Sequence, residues 1–111
     1  MKIFSFKNIY TAVSGDYYQV SFDNDSENDG PYFLLQRQFE MPDEGECYME
    51  SHIEELIGHY QVRTAVLCEG MLRLEYGDNK SVEVSFSVSR KEMTELQSAL
   101  IDMLPDLVVR D

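Results

Sequence analysis

The sequence predicts an α+β domain, with an antiparallel sheet of about five or six strands and a C-terminal helix packed on one face. Three observations lead to this class. The chain has 111 residues, which fits a single domain over 1–111. Several short segments alternate apolar and polar residues, and one later segment has helical spacing. Seven tyrosines, six phenylalanines and a hydrophobic content of 43% supply enough apolar surface for a folded core.

The N-terminal half has the composition of strands separated by polar turns. Residues 3–13 and 17–22 are rich in aromatic and β-branched side chains, and Ser14-Gly15-Asp16 between them is typical of a turn. After a polar loop over 24–31, Tyr32-Phe33-Leu34-Leu35 is apolar at every position. This predicts a central strand covered on both sides, which continues to Phe39.

The middle of the chain leads into a three-stranded meander. Met49, Ile53, Leu56 and Ile57, followed by Gly58, are compatible with a short second helix. The meander is then predicted over residues 60–69, 71–76 and 82–88, with Gly77-Asp78-Asn79-Lys80 as a hairpin turn. Its last strand is the clearest, because Val82, Val84, Phe86 and Val88 alternate with Glu83, Ser85 and Ser87.

The C-terminal helix has both a start and a stop signal. Ser89 can cap its first turn, with Glu92 completing a capping box. An apolar stripe at helical spacing follows, and Pro105 ends it. The stripe consists of Met93, Leu96, Leu100, Met103 and Leu104. It needs a sheet face to cover.

The negative charge is concentrated in one part of the chain. The formal net charge is −12, from 21 Asp and Glu against 9 Lys and Arg. Between Asp16 and Glu55 there are 12 acids and one base, Arg37, so that this segment carries −11. Such a charge disfavours nucleic acids and anionic membranes as partners. It suits a basic protein partner, although acidic loops often serve only to keep a protein monomeric.

We expect the protein to be cytoplasmic. No stretch approaches the roughly 18–20 consecutive apolar residues of a membrane span. The N-terminus reaches Lys7 and Asn8 too early for the apolar region of a signal peptide. Cys47 and Cys68 could form at most one disulfide, and Cys68 lies in an apolar alternation that predicts a reduced, buried thiol.

Catalytic and metal-binding templates do not match the sequence. The six glycines are scattered singly, so there is no phosphate-binding loop. Cys47, His52, His59 and Cys68 lack the paired ligand spacing of a structural zinc site. We interpret them as a loop cysteine, two surface histidines and a core cysteine. Four acids alternate in the manner of calcium-loop ligands: Asp23, Asp25, Glu27 and Asp29. The glycine and the glutamate that a calcium loop requires are at the wrong positions, however, so that the pattern does not match one. We therefore predict no enzymatic activity, no metal and no cofactor.

One part of the chain resembles a known family. Tyr32-Phe33-Leu34-Leu35-Gln36-Arg37, then Phe39-Glu40, an acidic loop and Tyr48-Met49-Glu50 are similar to the start of the immunity protein 10 family. The similarity continues through the last two meander strands and the helix, and covers roughly residues 29–104. Members are thought to neutralise toxins of bacterial polymorphic toxin systems. The resemblance implies a non-enzymatic inhibitor that binds one cognate toxin.

These observations predict a protein that binds a basic toxin domain through an acidic surface. Tyr48 and Phe39 are candidate anchors, and Arg37 is a candidate for an ion pair within the sheet. The acids that would supply the field are Asp23, Asp25, Glu27, Asp29, Asp43, Glu44 and Glu46. Of the other tyrosines near these acids, Tyr18 and Tyr32 are predicted to lie in the core.

Two alternatives belong to other functional classes. One is a small-molecule or metal-binding domain that uses the concave side of the sheet. The other is an oligomeric structural module, for example a homodimer. In it, an edge strand over residues 3–13 would pair with the same strand of a second copy across a two-fold axis.

Overall fold

The computed structural model describes residues 2–15, 17–24, 30–38 and 46–110. These residues form nine strands, one α-helix and one 3₁₀ turn. The strands are β1 (Lys2–Phe6), β2 (Asn8–Ser14), β3 (Tyr17–Asp23), β4 (Tyr32–Gln38), β5 (Glu46–Ser51), β6 (Gly58–Cys68), β7 (Met71–Tyr76), β8 (Lys80–Phe86) and β9 (Val108–Val109). The 3₁₀ turn is Glu54–Leu56 and the helix, α1, is Arg90–Met103. The α+β class is therefore confirmed.

The long strand β6 joins two halves of the sheet. Its first residues pair antiparallel with β5, from Gly58 opposite Met49 to Gln61 opposite Glu46. Its later residues pair antiparallel with β7, and the register shifts between Val62 and Thr64. Such an irregularity bends a strand and increases its twist. We call β2–β5 with the start of β6 the first half-sheet, and β1, β7, β8, β9 with the end of β6 the second half-sheet.

The two halves are joined again near the N-terminus. The segment predicted as one strand over 3–13 is divided at Lys7. Before it, β1 runs parallel to β8, and after it, β2 runs antiparallel to β3. The Asn24 side chain holds this bend, because its Oδ1 accepts from the Lys7 N–H at 2.8 Å and its Nδ2 donates to the Ser5 carbonyl at 3.1 Å.

Phenylalanine side chains fill the space between the half-sheets. Phe22 and Phe33 come from the first half-sheet, and Phe4, Phe6 and Phe86 come from the second; all five are buried. Ring centroids of neighbouring members lie 5.7–6.2 Å apart, with Phe22 touching three of the others. Because aromatic pairs at such distances add to the free energy of burial, this cluster holds the two halves together.

The predicted meander is confirmed as β6, β7 and β8. Buried Leu72, Leu74 and Tyr76 of β7 alternate with more exposed residues, and the buried residues of β8 follow the same period of two. The turn between these strands needs positive φ angles, which Gly77 adopts at 55° and Asn79 at 60°. Glycine and asparagine tolerate this conformation better than other residues.

Helix α1 covers the inner side of the first half-sheet. Its capping box is present as predicted, since the Glu92 N–H donates to Ser89 Oγ at 3.2 Å and the Ser89 N–H donates to Glu92 Oε1 at 3.1 Å. Leu96, Leu100 and Met103 are buried, and the helix packs against β2 and β3. The helix ends before Pro105, as expected.

The structure corrects the strand count and the second helix. There are nine strands in the described residues rather than five or six, because residues 3–13 form two strands and because β5 and β9 were not predicted. The region assigned to a second helix is the strand β5 followed by the single 3₁₀ turn Glu54–Leu56. Cys47, Met49 and Ser51 are buried alternately along β5, a period that fits a strand and not a helix.

The cysteine assignments are exchanged in the structure. Cys47, predicted in a loop, is fully buried in β5, whereas Cys68, predicted in the core, is only partly buried at the end of β6. Neither cysteine is part of a disulfide. The difference follows from β5, which turns the presumed loop around Cys47 into a core strand. His52 and His59 are exposed, as predicted.

Replacing the cap residue tests the start of α1. We expect Ser89→Ala to lower the free energy of unfolding by about 1 kcal/mol, because the Glu92 N–H loses its acceptor. Urea denaturation monitored by circular dichroism measures this change. Ser98→Ala in the exposed middle of the same helix is the matched control, and we expect it to leave stability within about 0.5 kcal/mol. Equal effects of both substitutions would contradict the assignment of Ser89 as the cap.

Candidate functional site

The structure describes three of the nine predicted binding residues. Asp23 ends β3, Glu46 begins β5, and Tyr48 lies in the middle of β5. The other six lie outside the described residues: Asp25, Glu27, Asp29, Phe39, Asp43 and Glu44. Residues 25–29 lie between β3 and β4 in the chain, and residues 39–45 lie between β4 and β5. The described part of the candidate site therefore consists of the strands that flank these two segments.

Strand alternation places Asp23, Glu46 and Tyr48 on one side of the first half-sheet. Phe22, Phe33 and Leu35 point to the inner side, where they are fully buried. Their neighbours along the strands point to the opposite side, which we call the outer face. The outer face includes Tyr10, Gln19, Ser21, Asp23, Tyr32, Leu34, Gln36, Glu46, Tyr48, Glu50 and His59.

Cross-strand pairing brings residues of different strands together on this face. In one row, Gln19 of β3 lies opposite Gln36, Gln36 lies opposite Tyr48, and Tyr48 lies opposite His59 of β6. Paired side chains in an antiparallel sheet lie within about 5.5 Å at Cβ, so that each row forms a continuous surface. In the next row Leu34 of β4 lies opposite Glu50 of β5.

Glu50 is the centre of a hydrogen-bonded cluster on the outer face. Tyr32 Oη donates to Glu50 Oε2 at 2.9 Å, and Tyr48 Oη donates to Glu50 Oε1 at 2.7 Å. Each carboxylate oxygen therefore accepts one hydrogen bond from a tyrosine hydroxyl. All three residues are half-buried. Hydrogen bonds to a charged acceptor are among the stronger ones in proteins, so that both rings are held in fixed positions.

The carboxylate changes the acidity of both tyrosines. The hydrogen bond to Glu50, followed by burial and the negative charge of Glu50, raises the pKa of Tyr48 above its usual value. Burial is the main cause of the raised pKa of Tyr32, and the hydrogen bond and charge of Glu50 add to it. Both phenols therefore stay protonated at neutral pH and act as donors to Glu50.

Two histidines extend the cluster. The ring centroid of His59 lies 5.2 Å from that of Tyr48, and the ring centroid of His52 lies 6.3 Å from that of Tyr32. The Tyr32 N–H also donates to His52 Nδ1 at 3.1 Å. His52 is fixed on its other side by an edge-to-face contact with Phe4, at 5.4 Å between centroids. The result is two pairs of rings, each linked to the Glu50 carboxylate by one tyrosine hydroxyl.

The outer face of β2–β5 carries acids without a base. Arg37 is the one basic residue in these four strands. It lies two residues beyond Leu35, on the inner side, where its Nη1 donates to the Met103 carbonyl at the end of α1. A cation at this position is favourable, because carbonyl groups at the end of a helix carry partial negative charge. Asp23, Glu46 and Glu50 are therefore the charged residues of β2–β5 on the outer face.

Sequence reasoning missed the central residue, Glu50, and misplaced one tyrosine. Tyr32, predicted in the core, is half-buried on the outer face, whereas Tyr18 does pack against the core. Glu50 shares the period-two alternation of Glu46 and Tyr48, which could have assigned all three to one face. The interpretation of residues 49–57 as helical obscured that alternation.

The candidate thiol and imidazoles of a catalytic or zinc site are not brought together. Cys47 is buried on the inner side of β5, whereas His52 and His59 are exposed. Within the described ranges, no group of three His, Cys, Asp or Glu side chains is placed to hold a metal ion. The inner side of the first half-sheet is occupied by α1, which packs on β2 and β3, and by the phenylalanine cluster. No helix in the described part of the chain has the length and apolarity needed to cross a bilayer.

The tyrosine titrations test the Glu50 cluster. In Glu50→Gln we expect the pKa values of Tyr32 and Tyr48 to fall towards the ordinary value of about 10, because the charge that opposes phenolate formation is lost. Absorbance at the phenolate band during an alkaline titration, or NMR of labelled tyrosine, measures the shift. In the native protein the raised pKa values favour the folded state below about pH 10, and this contribution is lost at higher pH.

The matched control for this titration is Glu75→Gln. Glu75 accepts a hydrogen bond from Thr64 Oγ1 at 3.0 Å on the second half-sheet. We expect the titrations of Tyr32 and Tyr48 in this variant to equal those of the native protein. Unchanged tyrosine titrations in Glu50→Gln would contradict the cluster.

No protein-family model matches this chain, and the search of curated proteins finds no significant relative. The resemblance to the immunity protein 10 family therefore stays a prediction from the sequence.

Proposed function

We propose that this protein is a non-enzymatic immunity protein that binds and neutralises a cognate bacterial toxin with a basic surface. The observation that carries the proposal is the outer face of the first half-sheet. There Asp23, Glu46 and Glu50 lie among tyrosines, and the strands β2–β5 contribute no base to that side. The sequence resemblance to immunity proteins supports the same class of function.

The charge distribution favours a basic partner. The segment from Asp16 to Glu55, which contains β3–β5, carries −11 of the net charge of −12. An acidic surface of this kind accelerates encounter with a cationic protein and suppresses binding to acidic ones. If the toxin is a nuclease, the carboxylates would occupy the basic groove that otherwise binds phosphates. Nucleic acids and anionic membranes are disfavoured as partners for the same electrostatic reason.

The tyrosines favour a protein partner over a small ligand. Tyrosine is enriched among the residues that dominate protein–protein binding energy. Tyr32 and Tyr48 are already held by Glu50, so that little side-chain freedom is lost when a partner covers them. Phe39, the other proposed anchor, lies outside the described residues. In this proposal the protein acts in the cytoplasm and carries no cofactor.

Binding to the toxin encoded beside this gene tests the proposal. The test variant changes seven acids to the corresponding amides: Asp23, Asp25, Glu27, Asp29, Asp43, Glu44 and Glu46. We expect its Kd for the toxin to rise by about tenfold or more at low salt, and the difference to shrink as salt increases. Isothermal titration calorimetry at two salt concentrations measures both effects.

The control variant has the same net charge but keeps the proposed surface. It changes seven other acids to amides: Glu69, Asp78, Glu83, Glu95, Asp102, Asp106 and Asp111. We expect it to bind nearly as tightly as the native protein. The electrostatic account is wrong if the first variant binds like the native protein at both salt concentrations. Absence of any binding by the native protein to the neighbouring toxin would overturn the immunity function itself.

A further inference from the structure

We infer that Glu50 receives an arginine side chain of the partner, between the rings of Tyr32 and Tyr48. This inference rests on the proposed function, because it names the chemical group that the outer face recognises. It differs from the electrostatic proposal in placing one specific contact at a residue outside the seven acids tested above. The two can therefore fail separately.

The carboxylate of Glu50 retains acceptor capacity on both oxygens. A carboxylate offers about four lone-pair positions, two on each oxygen. Tyr32 occupies one position on Oε2 and Tyr48 occupies one on Oε1. One position on each oxygen is left, which is the arrangement that a guanidinium group fills with two parallel N–H···O bonds.

The rings beside Glu50 also suit a planar cation. Tyr32 and Tyr48 flank the carboxylate, and His59 extends the surface beyond Tyr48 at 5.2 Å between centroids. A guanidinium group stacks on aromatic faces while it bonds to a carboxylate, whereas a lysine ammonium is a compact, strongly hydrated charge. The face therefore favours arginine over lysine.

The chain supplies no such cation from β2–β5. The guanidinium of Arg37 is engaged on the opposite side of the sheet by the Met103 carbonyl. In the part of the chain that the structure describes, the side-chain hydrogen bonds of Glu50 are those from Tyr32 and Tyr48. Because the three residues are half-buried, a partner that covers them would remove water and strengthen the ion pair. The charged residues that β2–β5 place on this face therefore complement a basic group from outside.

N-acetyl-arginine amide is a suitable probe, because it tests the contact without the toxin. Two-dimensional NMR of the full chain follows the Tyr32, Tyr48 and Glu50 resonances during titration with this amide. Two other amides are titrated in parallel. Nα-acetyl-citrulline amide has nearly the same shape as the arginine amide without its charge, and Nα-acetyl-lysine amide keeps a charged side-chain ammonium. We expect saturable shifts with the arginine amide, binding at least about threefold weaker with the lysine amide, and no saturable shift with the citrulline amide.

Two variants locate the contact. Glu50→Gln removes the charge but keeps the size of the side chain, and we expect it to abolish the saturable shifts. Glu83→Gln is the control, because Glu83 lies opposite Arg73 on the second half-sheet. We expect it to leave them unchanged. The inference is overturned by equal binding of the citrulline amide, by absence of saturable shifts in the native protein, or by their persistence in Glu50→Gln.

The toxin separates this result from the proposed function. If the native protein and Glu50→Gln bind the neighbouring toxin with equal Kd, the arginine contact is wrong although the immunity function stands. We expect instead that Glu50→Gln weakens toxin binding by about tenfold or more, because a buried charge on the partner loses its acceptor. If the arginine amide binds at Glu50 but the toxin does not bind, the function fails and the chemistry of the contact stands.

Discussion

Five buried phenylalanine side chains pack against one another between the two half-sheets. Phe22 lies within 5.7–6.2 Å of three other rings, so that strands far apart in the sequence share one core. A sheet with one buried side must expose its other side or cover it with another layer. The cluster and α1 occupy the inner side of the first half-sheet, so that they leave its outer face uncovered.

Strand β6 and the bend at Lys7 make this arrangement possible. Each lets one chain segment belong to both half-sheets, β6 through its irregularity near Val62 and the N-terminal segment through the Asn24 contacts. The two joints fix how the halves face each other. The two halves also differ in composition. The second half-sheet is built around the regular β6–β7–β8 meander, whereas the first contains most of the acidic segment.

The features predicted from the sequence are those determined by neighbouring residues. The alternation of β7 and β8, the turn with Asn79 and the Ser89 cap each depend on a few consecutive positions, and all are confirmed. The division of residues 3–13 was not predictable, because it depends on Asn24, which lies 17 residues beyond Lys7. The short β5 was missed because apolar residues in 49–57 also fit helical spacing.

The candidate site was predictable only in part for the same reason. Composition located the acidic segment, and the sequence selected Tyr48 as an anchor. The role of Glu50 required the pairing of β4 with β5, which brings Tyr32 and Tyr48 to the same carboxylate. Sequence alone gives the residues on one strand, whereas a cluster on a face also depends on the register between strands.

The proposed binding surface is the outer face of the first half-sheet. Cross-saturation NMR on a complex with the proposed toxin partner tests this surface, because it maps the contact residues on the native chain. We expect the affected residues to cluster around Tyr32, Tyr48 and Glu50. A contact surface confined to the exposed side of β7 and β8, around Arg73 and Glu83, would contradict it.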